Sequence, residues 1–134
     1  MGTWGTGVFD NDTACDFAAN VADGGGLQAL VQALDRVLVP TSDYLRAQDA
    51  DRGLAAAEIV ARLNGSRGEQ TAYKAEIDDW IERSSAPISK DVLDKARQAI
   101  TRILTKPSEL VDLWMESGDF EDWKRHVEDV SKRL

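Results

Sequence analysis

The sequence predicts an all-α protein: a single-domain, irregular (orthogonal) bundle of about six to seven helices, with an extended glycine-rich N-terminal segment packed on it. Three observations support this. Apolar residues recur at helical spacings of three and four along most of the chain. No stretch alternates between apolar and polar residues as a half-buried strand does. Glycine, proline and capping residues divide the chain into short segments, and 134 residues suit one domain spanning 1–134.

The first two helices follow from capping and helix-ending residues. Asp10 or Asn11 is expected to cap a first helix of about ten residues, because a short side-chain oxygen accepts a free backbone N–H there. The three glycines at 24–26 are predicted to end it, since they lose much backbone freedom in a helix. A second helix is predicted over residues 27–38, and Pro40 ends it.

The remaining helices are marked in the same way, by an apolar stripe between a capping residue and a breaking residue. The predicted elements are a third helix from Asp51 to Asn64, a fourth that contains Trp80 and ends near Arg83, a fifth capped by Ser89, a sixth beginning at Ser108 and Glu109, and a last one capped by Asp119.

Composition excludes several classes of protein. The formal net charge of −8, from 16 Lys and Arg against 24 Asp and Glu, disfavours binding to nucleic acid and to anionic membranes. One cysteine, Cys15, and one histidine, His126, exclude an internal disulfide, a cysteine-rich zinc site and a multi-histidine metal site. Neither a secretory signal nor a membrane-spanning apolar stretch is seen, so we expect a cytoplasmic location.

The N-terminal acids form the most prominent polar cluster. Asp12 and Asp16 lie four residues apart, hence on one helical face, and Asp10 and Asn11 precede them. These oxygen ligands suit Mg²⁺ or Ca²⁺, and Glu58 could join them across the bundle. The alternative is that Asp10 or Asn11 caps the helix while the other acids favour its positive end.

The same region is a candidate surface for a protein partner. Asp12, Asp16 and Asp23 all precede the first basic residue, Arg36. Concentrated negative charge steers a basic partner towards its docking site. The alternative is that these acids serve only solubility.

Large aromatic residues also mark the N-terminal segment. Trp4 and Phe9 lie outside any predicted helix, beside Gly5 and Gly7. Because such rings bury a large apolar area, we expect both to act as structural anchors that hold the segment on the bundle. The alternative is an exposed aromatic hot spot for a partner.

The opening residues, Met-Gly-Thr-Trp-Gly-Thr-Gly-Val-Phe-Asp-Asn-Asp, carry a family resemblance. They resemble a bacterial family of small proteins of unknown function that begin with Met-Gly-x-Trp-Gly-x-Gly-x-Phe-(Asp/Glu)-Asn-Asp. The alanine-rich stretch 55–61 and the segment 108–114 are similar to the family as well, whereas Cys15 and Phe17 depart from its commonest pattern. The resemblance implies a bacterial, cytoplasmic, single-domain protein, and it carries no reaction.

Together these features favour a small acidic binding protein without catalytic residues, for which an immunity-like or antitoxin-like role is one concrete version. The alternative is a divalent-metal-dependent enzyme, or a small-ligand-binding protein, that uses the N-terminal carboxylate cluster. A homo-oligomeric structural protein is a third possibility, and the sequence leaves the oligomeric state open.

Overall fold

The fold is all-α, as predicted. A computed structural model of the chain describes residues 3, 5–39, 43–65, 75–84 and 88–134. No β-strand occurs among these residues, which form seven α-helices. The helices are α1 (Asp12–Asn20), α2 (Gly26–Leu38), α3 (Ala47–Leu63), α4 (Ala75–Arg83), α5 (Lys90–Ile103), α6 (Glu109–Ser117) and α7 (Phe120–Arg133).

The glycines between α1 and α2 break the helix, as predicted. The two helices meet at a kink over Val21–Gly25, where the Gly26 N–H donates to the Val21 carbonyl. The backbone leaves helical angles at Asp23 and at Gly24, where φ is 121°. A residue with a side chain rarely adopts such an angle, and glycine adopts it readily. The glycines therefore end α1 and allow the kink from which α2 starts.

Helix α3 begins at Ala47, four residues before the predicted start at Asp51. The Ala47 N–H donates to Glu109 Oε1 at 2.8 Å, and Glu109 belongs to α6. Two backbone hydrogen bonds also join Leu45 to the chain just before α6, from Leu45 N to Pro107 O and from Glu109 N to Leu45 O. A side chain distant in sequence thus satisfies one of the free N–H groups at the α3 terminus.

Helix α3 lies at the centre of the core, in contact with the helices before and after it. Every residue from Gly53 to Arg62 is buried. Close packing against α2 requires the glycine, because a Cβ at Gly53 would lie 2.5 Å from Val37 Cγ2. The run of alanines that follows it presents small side chains to the neighbouring helices on all sides.

The last three helices follow the predicted order. Ser89 begins α5 by accepting a hydrogen bond from the Val92 N–H at 3.3 Å. Gly118, with φ at 87°, ends α6 in the left-handed conformation. Asp119 occupies the N-cap position of α7 but makes no side-chain capping bond, so its predicted role is wrong; its backbone angles, φ −105° and ψ 18°, are not those of a capping residue.

None of the helices described combines the length and the apolar composition that crossing a bilayer requires.

Candidate functional site

The segment before α1 is a tight turn built around the carboxylate of Asp10. Asp10 Oδ2 accepts a hydrogen bond from the Gly7 N–H at 2.9 Å, and the Asp10 N–H donates to the Gly7 carbonyl at 3.1 Å. A Cβ at Gly5 or Gly7 would lie 2.5 or 2.7 Å from the same carboxylate oxygen. The two glycines are therefore needed because the backbone closes around Asp10.

The next two residues connect this turn to the bundle. Phe9 is 2% exposed and belongs to the hydrophobic core. Asn11 is buried, and its Oδ1 accepts from the Ala14 N–H at 2.8 Å, so Asn11 is the cap of α1. Asn11 also forms an isolated antiparallel bridge with Thr3. The second predicted anchor, Trp4, lies outside the described residues.

The acids predicted to bind a partner lie on the exposed side of α1 and of the kink that follows it. Asp12, Asp16 and Asp23 are all exposed. Asp23 also lines a groove of about 540 Å³ between the end of α1 and α4, where it is joined by Glu76, Asp79 and other residues. The remaining lining residues of this acidic groove are Ala19, Asn20, Ala22 and Arg83.

The carboxylates predicted to hold a metal ion lie in different environments and have different roles in the structure. Asp10 closes the N-terminal turn, whereas Asp12 and Asp16 are exposed on α1. Within the described part of the chain, which includes these three acids and Glu58, no group of three or more His, Cys, Asp or Glu side chains is arranged to hold a metal ion.

Glu58 lies in a buried ion network instead. Its Oε2 accepts from Arg62 Nε at 2.9 Å and from Arg133 Nη1 at 2.8 Å, and its Oε1 pairs with Arg133 Nη2. Arg62 also donates to Asp78 in α4, and Arg133 to Asp129 in α7. Only 1% of the Arg62 side chain and 5% of the Glu58 side chain are exposed. The network joins α3, α4 and α7.

A cavity lies between the N-terminal turn and helices α3, α6 and α7. It has a volume of about 580 Å³ and mostly apolar walls. We call it the Asp51 cavity. Its lining residues are Thr3, Gly5, Thr6, Gly7, Val8 and Asn11 from the N-terminal segment, Ala47, Asp51 and Leu54 from α3, Leu110, Leu113, Trp114 and Ser117 from α6, and Asp119 and Trp123 from the beginning of α7.

Asp51 is the chemically distinctive group of this cavity. Burial raises the pKa of its carboxyl from 3.8 to about 7; nearby Glu109 adds to the increase, and Arg52 opposes it. Within the described part of the chain, no hydrogen bond or ion pair engages this carboxyl. The protonated and ionised forms are therefore both accessible near neutral pH, which makes Asp51 sensitive to whatever occupies the cavity.

Two indole rings lie in the wall of the same cavity. Trp114 and Trp123 are stacked, with ring centroids 6.3 Å apart and an interplanar angle of 15°. Trp123 is 3% exposed, and the Phe120 ring packs against it with the ring centroids 5.9 Å apart. Trp114 is only partly buried and extends the aromatic surface towards the cavity.

Asp51 is not among the site residues predicted from the sequence, because an acid near a helix start usually interacts with the positive end of the helix. One signal was present. Ala47, Asp51 and Leu54 follow one another at spacings of four and three, which places the carboxyl on the same face as two apolar side chains. The pattern includes Ala47, which lies before the predicted helix start at Asp51. It is recognisable only if the helix begins at Ala47, and that start depends on Glu109.

Comparison with known proteins identifies a family without assigning a reaction. Neither a curated protein nor a solved structure matches the chain. The family model described as "Domain of unknown function (DUF4259)" matches residues 2–126, which is most of the chain. The chain therefore belongs to the DUF4259 family.

Proposed function

We propose that this protein is a binding protein whose Asp51 cavity holds a small, largely apolar ligand. The observation that carries the proposal is the combination of an apolar cavity of about 580 Å³ with the carboxyl of Asp51, which burial perturbs and which has no partner among the described residues. Ligand sites in proteins are typically clefts of roughly 300–1,000 Å³ with apolar walls and a few polar groups that orient the ligand.

The energetics of Asp51 support this proposal. A carboxyl group that is removed from water without a hydrogen-bond partner destabilises the folded protein. Groups kept under such conditions are concentrated at functional sites, where a ligand or substrate supplies the missing interaction. The adjacent tryptophans, Trp114 and Trp123, offer a flat apolar surface for the body of a ligand.

Three probes with related carbon skeletons test the proposal: 2-phenylethanol, 2-phenylethylamine and phenylacetate. We expect at least one of them, at about 10 mM, to raise the melting temperature by mass action. The same probe should shift the NMR signals of the Gly5 and Gly7 amides and of the Trp114 indole N–H.

Two tryptophan substitutions provide the control. Ala47→Trp places a large ring in the Asp51 cavity and should abolish the probe-dependent shifts, whereas Ala19→Trp lines the acidic groove and should leave them intact. If none of the three probes perturbs the cavity signals, or if both variants respond as the wild type does, the proposed ligand site is wrong.

The acidic groove supports a second function, docking of a basic protein partner as in immunity-like or antitoxin-like proteins. Asp23, Glu76 and Asp79 are exposed along this groove, and Asp12 and Asp16 are exposed on the adjoining α1. Charges of one sign around a groove raise the association rate of an oppositely charged partner.

A lysine-rich peptide tests whether this surface binds basic chains specifically. Combined Asp12→Lys, Asp16→Lys and Asp23→Lys substitutions should weaken its binding in low salt by at least about tenfold, as measured by calorimetry, because local attraction is lost. The control carries the same change in net charge at three exposed acids of α6 and α7, Glu116→Lys, Glu121→Lys and Glu128→Lys. If the control weakens binding equally, only net charge matters and the docking surface is wrong.

Several expectations from the sequence stay predictions. They are the Mg²⁺ or Ca²⁺ site at the N-terminal acids, a bacterial source, a cytoplasmic location, and the orthogonal arrangement of the bundle with its packed N-terminal segment. A melting experiment with and without each divalent ion would address the first of these, since a bound ion stabilises the folded state.

A further inference from the structure

We infer that the ligand of the Asp51 cavity is an organic cation, a protonated amine attached to an apolar or aromatic body, with Asp51 as its counter-ion. This inference rests on the proposed function of the cavity. It specifies the chemical class of the ligand from the groups that line the site: the Asp51 carboxyl, which has no partner among the described residues, the stacked pair Trp114 and Trp123, and the apolar side chains around them.

The charges around the cavity favour a cation over an anion. Asp51 and Asp119 both line it, and Glu109 of α6 lies close enough to raise the pKa of Asp51. Arg52 is the opposing positive group on α3, and it is exposed to solvent. The whole chain carries a net charge of −8. An anionic ligand would meet this negative potential without a buried cation to pair with it.

The aromatic wall favours a cation over a neutral ligand of the same shape. An ammonium group is attracted to the face of an indole ring through the ring quadrupole, more strongly where water is excluded. It also donates a charge-assisted hydrogen bond to a carboxylate, which is stronger than a bond between neutral partners. A neutral alcohol gains only the weaker bond, so the amine should be preferred.

Binding of such a ligand is coupled to the proton of Asp51. The charged groups that act on this carboxyl are Arg52 on its own helix and Glu109 on α6, and Asp119 at the start of α7 lines the same cavity. Because the ammonium pairs with the ionised carboxyl, its binding below pH 7 must displace a proton. An aliphatic amine with a pKa near 10 stays protonated across this range. From about pH 8 to about pH 6 the ionised fraction of Asp51 falls roughly tenfold, and the affinity should fall with it.

The test compares 2-phenylethylamine with 2-phenylethanol on the folded protein by NMR titration near pH 8. We expect the amine to bind at least about tenfold more tightly than the alcohol. Asp51→Asn keeps the size of the side chain and removes its charge. It should weaken amine binding about tenfold and leave alcohol binding within about twofold.

A matched variant on α6, Glu116→Gln, removes one exposed negative charge that does not line the cavity and should change neither affinity appreciably. Equal affinities for the amine and the alcohol, with no effect of Asp51→Asn, would overturn the inference while the ligand site itself stands. An amine affinity that is constant from about pH 8 to about pH 6 would also overturn it. Failure of all three probes to bind would refute the proposed function instead.

Discussion

Replacing Glu58 with glutamine is expected to lower the free energy of unfolding by about 3–5 kcal/mol, because the substitution removes the central anion of a buried ion network. Glu58 accepts hydrogen bonds from both Arg62 and Arg133. The Arg62 side chain is 1% exposed, so it keeps its positive charge in a place that water scarcely reaches. Hydrogen bonding to Glu58 also holds the pKa of Arg133 well above its usual range, so the substitution removes a favourable interaction of this guanidinium as well.

Urea unfolding followed by circular dichroism measures this effect. The control is Glu128→Gln, which removes an exposed carboxylate of α7 and should change the stability by no more than about 0.5 kcal/mol. A loss for Glu58→Gln no larger than that of the control would mean that the network does not hold α3, α4 and α7 together.

Replacing Asp51 with asparagine is expected to stabilise the protein near pH 8, by an amount on the order of 2–4 kcal/mol. The pKa of Asp51 is about 7 in the folded protein and 3.8 for the free side chain. The folded state therefore holds a proton that the unfolded state has already released, and the wild type loses stability as the pH rises from about 4 to about 7. Above that range the wild type keeps the whole loss of folding free energy that the buried charge causes. The asparagine variant has no such charge and therefore no such loss.

Melting curves of the two proteins across this pH range check the sign. The advantage of Asp51→Asn should be small near pH 4, grow up to about pH 7 and then stay level. Asp91→Asn, at an exposed acid of α5, should show no comparable rise. Destabilisation by Asp51→Asn at all pH values would contradict the prediction, because it would indicate that the ionised carboxyl is stabilised in the folded state.

Local sequence patterns predicted the helices well because each has its own apolar stripe and most have their own ending signal. Ser89 and Gly118 act at the ends of α5 and α6 in the structure. The predicted start of α3 was wrong because the oxygen that accepts from its first N–H belongs to Glu109, 62 positions from Ala47. Neighbouring residues in the sequence give no indication of a capping group that another helix supplies.

The candidate site was less accessible to sequence reasoning for the same reason. Glu58 and Arg62 are four residues apart on one helix, a spacing that indicates an ion pair. Their third partner, Arg133, is 75 positions from Glu58, so the burial of the network depends on the packing of α7 against α3. The perturbed carboxyl of Asp51 likewise results from walls contributed by three separate parts of the chain.

The hydrogen bond between Glu109 and the start of α3 also restricts how a molecule can enter the Asp51 cavity. This bond joins two walls of the cavity, α3 and α6, at Ala47. The backbone hydrogen bonds of Leu45 with Pro107 and Glu109 strengthen the same junction. Parting those helices would expose several polar groups at once. The opposite wall contains residues 5–8, whose hydrogen bonds in the described part of the chain run to Asp10 and Asn11 and not to α3, α6 or α7. We therefore expect a ligand to enter and leave the Asp51 cavity past the turn that contains Gly5 and Gly7.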